Sequence, residues 1–203
     1  MTSIITGDII NSRKAASASW LKVLKKELEH LGDTPKQWEI YRGDSFQVEV
    51  KDPADALAVA IRIKAAIKSL KGVDVRMAIG IGDKTQNARS VTESNGSAYI
   101  HSGTLVEDLK KLKLNLLVKS HNNKFDEEMN LYLKLALLIM DGWTTNAAET
   151  MFIALQHPDK SQAELGRLLK VKQNAVSTRL KRACYYEIRE LIEMYRTKIV
   201  ELK

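Results

Sequence analysis

Residues 41–50 read YRGDSFQVEV. Phe46, Val48 and Val50 alternate with Gln47 and Glu49, the two-residue period of a half-buried strand. On the other side of Arg42-Gly43-Asp44-Ser45 lies a second strand-like run, WEIY at 38–41, and Gly43 suits the turn of a hairpin. Upstream, residues 3–6 form a short apolar run ended by Gly7-Asp8, which reads as a strand. Residues 15–31 place Trp20, Leu21, Val23, Leu24, Leu28 and Leu31 at the spacing of an amphipathic helix. Downstream, Pro53 suits the first turn of a helix running to about Leu70. A strand is expected at 75–81, a polar loop at 83–96, a partly helical stretch at 97–109 and a last strand at 114–118. The order is β-α-β-β-α-β-α-β.

That order predicts an α+β fold with a ferredoxin-like βαββαβ core and a mostly antiparallel sheet. In such a core the first strand is central and antiparallel to the third. Asp8, just past the first strand, and Asp44, just before the third, are then expected to meet at one edge of the sheet. Mg2+ takes oxygen ligands, usually one or two carboxylates plus substrate phosphates, so Asp8 and Asp44 are the candidate metal ligands. The segment after Asp8, with Ile9, Asn11, Ser12 and Arg13, precedes a helix and is the candidate phosphate-binding stretch, with Lys14 adding charge.

The C-terminal stretch SQAELGRLLKVKQNAVSTRLKRA, 161–183, has the register of a helix-turn-helix. Ser161 and Glu164 form a capping box, Gly166 sits where two helices would cross, Val171 is the apolar turn residue, and Val176 and Leu180 anchor the second helix. Lys170 stands where glycine is usual, so a mildly strained left-handed residue is expected there. The face left to solvent carries Lys172, Gln173, Asn174, Ser177, Thr178, Lys181 and Arg182. Gln and Asn reach base edges, while Lys, Arg, Ser and Thr hold phosphates, so these seven are the candidate DNA contacts. Thr145 is the expected cap of a helix ending near Gln156. The apolar residues Ile188, Leu191, Ile192, Tyr195, Ile199 and Leu202 require a partner surface, in this chain or in a second copy.

Charge and composition agree. The chain has 203 residues and a formal charge of +7. Residues 1–156 hold 21 Lys and Arg against 19 Asp and Glu, while residues 157–203 hold 11 against 6. The positive excess thus lies on the segment proposed to meet an anionic polymer. One cysteine excludes a disulfide framework and a cysteine-built zinc site. No apolar run approaches the ~18 residues of a membrane span, and the first residues lack a signal-peptide pattern, so a reduced, cytoplasmic protein is expected. His30, His101, His121 and His157 show no ligand spacing, Cys184 reads as a buried helical residue, and Trp20, Trp38 and Trp143 read as core anchors.

TGDIINSR, RGDSFQ and VRMAIGIG together resemble the palm-type domain of class III nucleotidyl cyclases and diguanylate cyclases, in which an aspartate ends strand one and a Gly-Asp lies in the following hairpin. The helix-turn-helix resembles those of bacterial transcriptional regulators, and 145–183 the last domain of sigma factors. Over nearly its full length the chain looks most like the SatD family. The cyclase resemblance implies Mg2+ and nucleotide binding at Asp8 and Asp44. It departs where Asn11-Ser12 replace a Gly-Phe pair, where Arg42 replaces a second glycine, and where residues 96–109 lack the in-register asparagine and arginine of the cyclases. Losing an arginine on developing charge costs orders of magnitude in rate, so binding without turnover is expected. The expectation is a palm-like domain at 1–121 and a helix-turn-helix region at 126–203, forming a homodimeric DNA-binding regulator. The alternatives are a nucleotidyl cyclase or transferase using Asp8 and Asp44, and a scaffold with an inactive palm domain.

Overall fold

The computed structural model describes residues 1–13 and 17–202. Lys14, and the expected helix start at Ala15 and Ala16, lie outside the described residues. Among the described residues, five strands and eight α-helices follow in the order β1 (Thr2–Ile10), α1 (Ser17–Glu29), β2 (Trp38–Tyr41), β3 (Ser45–Val50), α2 (Ala56–Lys68), β4 (Asp74–Gly82), α3 (Ser97–Leu112), β5 (Leu116–Lys119), α4 (Asn123–Met140), α5 (Thr145–Gln156), α6 (Gln162–Leu169), α7 (Gln173–Ala183) and α8 (Tyr185–Leu202). A 3-10 turn at Pro53–Asp55 leads into α2, with Asp52 as its cap.

The sheet order is β2-β3-β1-β4-β5. β1 pairs antiparallel with both β3 and β4, β2 antiparallel with β3, and β5 parallel with β4. The first strand is longer than the sequence suggests. It runs through Gly7-Asp8 to Ile10 because both neighbours keep pairing with it: Gly7 faces Phe46 and Met77, and Asp8 faces Ser45 and Arg76. Glycine at 7 serves packing here. A Cβ on it would lie 2.7 Å from the Phe46 ring and 2.7 Å from the Arg76 carbonyl.

Alternation gives the sheet two faces. Ile5, Ile9, Phe46, Val48, Val75, Met77 and Ile79 are buried on one, with Trp20, Leu24 and Leu28 of α1 and the apolar side of α2 in the same cluster. The other face is mixed: Ile4 is buried there with Val91, Ala98 and Tyr99, while Gln47 Nε2 donates to Thr6 Oγ1, and Thr6 donates to Ser102 of α3. α3 lies directly on β4. A Cβ at Gly80 would stand 2.2 Å from the Ala98 carbonyl oxygen, and one at Gly82 2.3 Å from the Ser97 hydroxyl.

The C-terminal half is helical. Asn122 caps α4 by accepting from the Phe125 amide. Thr144, rather than Thr145, caps α5, since its hydroxyl accepts from the Ala147 amide. The capping box at Ser161 and Glu164 forms in full, and Lys170 adopts the left-handed conformation, φ 55°. Cys184 is not inside a helix. It is a half-buried left-handed residue, φ 52°, between α7 and α8.

α8 turns back onto its own chain. Ile188, Ile192, Tyr195 and Ile199 are buried, and Tyr195 meets Phe125 of α4 with ring centroids 6.2 Å apart. One apolar cluster therefore runs from the sheet through α2 into α4, α5 and α8. A buried lysine fastens the same junction: Lys64 Nζ of α2 lies 2.9 Å from Asp74 of β4 and 2.7 Å from Asp141, just after α4. Trp20, Trp38 and Trp143 are all buried core residues. Among the described residues no helix is long and apolar enough to cross a membrane.

Candidate functional site

The pairing of β1 with β3 brings Asp8 and Asp44 to one end of the sheet. Asp8 pairs in register with Ser45, and the Ile9 amide donates to the Asp44 carbonyl at 3.0 Å. The hairpin that presents Asp44 turns through Arg42 and Gly43, at φ 51° and 87°. A glycine takes the second of these without strain, whereas Arg42 is held in a conformation that L-residues rarely adopt.

Each carboxylate has an internal partner. Arg76 Nη1 lies 3.4 and 3.3 Å from the two Asp8 oxygens. Ser12 donates its hydroxyl to Asp44 Oδ2 at 2.6 Å. Burial pushes the Asp8 carboxyl above the usual aspartate range; Arg76 and Lys110 pull it back, while Asp44 and Glu107 add to the rise. Burial also raises the Tyr41 hydroxyl, which feels Arg42, Lys110, Asp8 and Glu107. The end of the sheet therefore gathers Asp8, Asp44, Tyr41, Arg76, Glu107 and Lys110.

Of the residues assigned to phosphate, Ile9 is buried in the strand and its amide is already engaged. Asn11 is exposed at φ 61°, Ser12 is half-buried on Asp44, and Arg13 is exposed. Two hard carboxylate oxygen sets suit a Mg2+ that completes its shell with water and phosphate oxygens. Among the described residues no group of three or more His, Cys, Asp or Glu side chains is placed to hold a metal. Arg76 was not singled out from sequence. It was legible there once the β1–β4 register was known, because Asp8 and Arg76 are direct partners. Glu107 and Lys110 arrive on α3 and carried no sequence signal.

A second cluster lies on α7. Val176 and Leu180 point inward, buried to 0% and 2% exposure. Lys172, Gln173, Asn174, Ser177, Thr178, Lys181 and Arg182 are all exposed. Gly166 permits the approach of the preceding helix: a Cβ there would stand 2.7 Å from the Val171 carbonyl and 3.6 Å from Val176. Trp143 donates its indole N–H to the Ala183 carbonyl at 3.1 Å, fixing the C-terminal end of α7 to the start of α5.

Comparison with known families matches the SatD family over residues 2–191. The chain belongs to the SatD family. The match takes in both the Asp8–Asp44 end of the sheet and the whole of α7, so both clusters lie inside the region that defines the SatD family. No curated protein matches the chain.

Proposed function

We propose that this SatD-family chain is a DNA-binding regulator. Its residues 126–203 carry a helix-turn-helix in α6 and α7, and its residues 1–121 form a ferredoxin-like, palm-type half that binds a nucleotide with Mg2+. One observation carries the DNA reading. All seven candidate contacts are exposed, Lys172 at the start of α7 and six on the helix itself, while Val176 and Leu180, on the same helix, are sunk in the core. An exposed helix rich in amide, hydroxyl and cationic side chains matches the chemistry of major-groove readout. The positive excess of residues 157–203 supports it. The palm reading is supported by the β2-β3-β1-β4 order and by the placing of Asp8 beside the Asp44 hairpin. Two copies present two such helices to two half-sites, so the active form is a homodimer.

The test is fluorescence anisotropy on genomic fragments and random duplex across a salt series. About six phosphate contacts give a log–log slope near −5. Gln173→Ala weakens specific binding by about 1–3 kcal/mol and random binding hardly at all. Equal loss on both, or no binding at 50 mM salt, contradicts the reading.

A second reading, nucleotidyl transfer, is favoured by the placing of Asp8 and Asp44 side by side at one end of the sheet. Incubation with each ribonucleoside triphosphate and Mg2+ or Mn2+, followed by mass spectrometry, decides it. A new cyclic or linked nucleotide, lost in both Asp8→Ala and Asp44→Ala, makes the chain an enzyme.

A further inference from the structure

We propose that the cleft between α2, α5 and α8 is a second binding site, distinct from the Asp8–Asp44 end, that takes the phosphate group of a small molecule. The cleft encloses about 580 Å³, within the ~300–1,000 Å³ of ordinary ligand sites. Its position is remote from Asp44. That residue precedes β3, whereas the cleft is built around Glu49 to Asp52 at the other end of β3, about 20 Å along the strand.

The charges that line the cleft balance, four acids against four cations, so its selectivity rests on which cations keep unused donors. Of its acids, Asp55 and Glu193 are both held by Arg196, at 3.1 and 2.7 Å. Glu49 is held by Lys84 at 2.6 Å, and Asp52 caps the 3-10 turn. Lys51 and Arg189 line the cleft and have no carboxylate partner among the described residues. Arg189 stands over the Tyr185 ring, 5.7 Å from its centroid, which orients its guanidinium without using its hydrogen bonds. On the opposite wall Arg62 is spent on the buried Glu27, Nε at 2.9 Å, and its Nη2 is shut from solvent. The Arg189 guanidinium and the Lys51 ammonium, neither spent on a carboxylate, match phosphate oxygens. Val59 and Ile192 are buried and line the same cleft, offering apolar surface to an organic body attached to the phosphate.

The site also has a mechanical address. Tyr185 opens α8, one residue after Cys184 ends α7. A ligand held by Arg189 and Tyr185 bears on the first turn of α8 and so on the C-terminal end of α7. This consequence rests on the DNA-binding reading of α7; the binding site itself does not.

The test uses the full chain in EDTA, so that no divalent cation engages Asp8 and Asp44. Sodium pyrophosphate and adenosine diphosphate are titrated separately, by calorimetry and by amide chemical shifts. Each is expected to saturate at one site, with shifts centred on Lys51 and Arg189. Arg189→Ala, an exposed residue whose loss leaves the core intact, weakens binding about tenfold or more, and Arg189→Lys restores part of it. Asp8→Ala and Asp44→Ala bind as the native chain does. Tighter binding of the nucleotide than of pyrophosphate assigns an organic phosphate that uses the apolar wall; equal binding assigns the inorganic group. No saturation at about 10 mM, ten times a millimolar dissociation constant, or equal binding by Arg189→Ala, overturns the site. Loss of Asp8 and Asp44 function with the cleft intact, or the reverse, separates this proposal from the palm-site reading. DNA affinity unchanged by a saturating ligand removes the link to α7 and leaves the site.

Discussion

Lys64→Ala tests the junction between sheet and helices. The Lys64 side chain is fully buried, and its ammonium touches Asp74 at 2.9 Å and Asp141 at 2.7 Å. Truncation removes three buried methylenes, worth about 2.4 kcal/mol at ~0.8 each. It also breaks two charge-assisted hydrogen bonds, of roughly 1.5–3 kcal/mol each. Against this stands the relief of an ammonium desolvation cost of several kcal/mol. The acids left behind fare differently. Asp74 keeps Lys68 at 3.0 Å and the Val75 amide at 2.8 Å, while Asp141, 38% exposed, regains water. The cost therefore falls at the low end of the ~3–5 kcal/mol for breaking a buried pair, about 3 kcal/mol. At ~2–4 °C per kcal/mol for a chain of this size, Tm falls by about 6–12 °C. Lys64→Met keeps the stem and costs about 2 kcal/mol less. Adding Asp141→Asn to Lys64→Met restores stability rather than lowering it further, because the two changes share one interaction. Urea unfolding followed by tryptophan fluorescence, at 0.1 and 1 M NaCl, measures all three, and a buried pair changes little between the two salts. A Lys64→Ala cost below about 1 kcal/mol, or one that disappears in high salt, is the behaviour of a surface pair and refutes the argument.

Asp8→Asn leaves stability at pH 7 unchanged or raises it by up to about 1 kcal/mol, while abolishing Mg2+-dependent nucleotide binding in calorimetry. Because burial raises the Asp8 pKa in the folded chain, its contribution to stability declines as pH rises from about 3.8 through that raised value and is level above it; the asparagine variant lacks this slope in pH-dependent melts. Gly80→Ala drives a Cβ into the backbone of α3 and costs about 3 kcal/mol or more. Gly103→Ala, with nothing within 4 Å, gains up to about 1 kcal/mol from helix propensity; a reversed order in thermal melts contradicts the packing of α3 on β4. Ser161→Ala removes the capping-box hydroxyl and costs about 1 kcal/mol, read by urea unfolding.

Local chemistry was legible where neighbours in sequence are neighbours in space. The 38–50 hairpin, the Ser161–Glu164 box, the left-handed Lys170 and the inward Val176 and Leu180 all depend on contacts within a few turns. The end of β1 was misplaced for the complementary reason. Gly7-Asp8 looks like a turn in isolation, and only pairing on both sides keeps it extended. Thr145 for Thr144 is a one-residue error between two identical side chains, decided by which hydroxyl reaches the Ala147 amide.

The sequence by itself determined the order of elements, the apolar alternation of β3, and the polar side of α7, because periodicity and end-capping act over short separations. Tertiary structure decided the rest. Arg76, Glu107 and Lys110 join Asp8 only when β4 and α3 are set against β1. The glycines at 80 and 82 acquire their meaning only from the α3 backbone pressed on them. The tail helix, amphipathic and without a visible partner in sequence, finds its partner in its own chain, and in doing so closes a cleft with Arg62 on one wall and Arg189 on the other. Contacts between residues more than a hundred positions apart depend on three-dimensional packing, which no local pattern encodes.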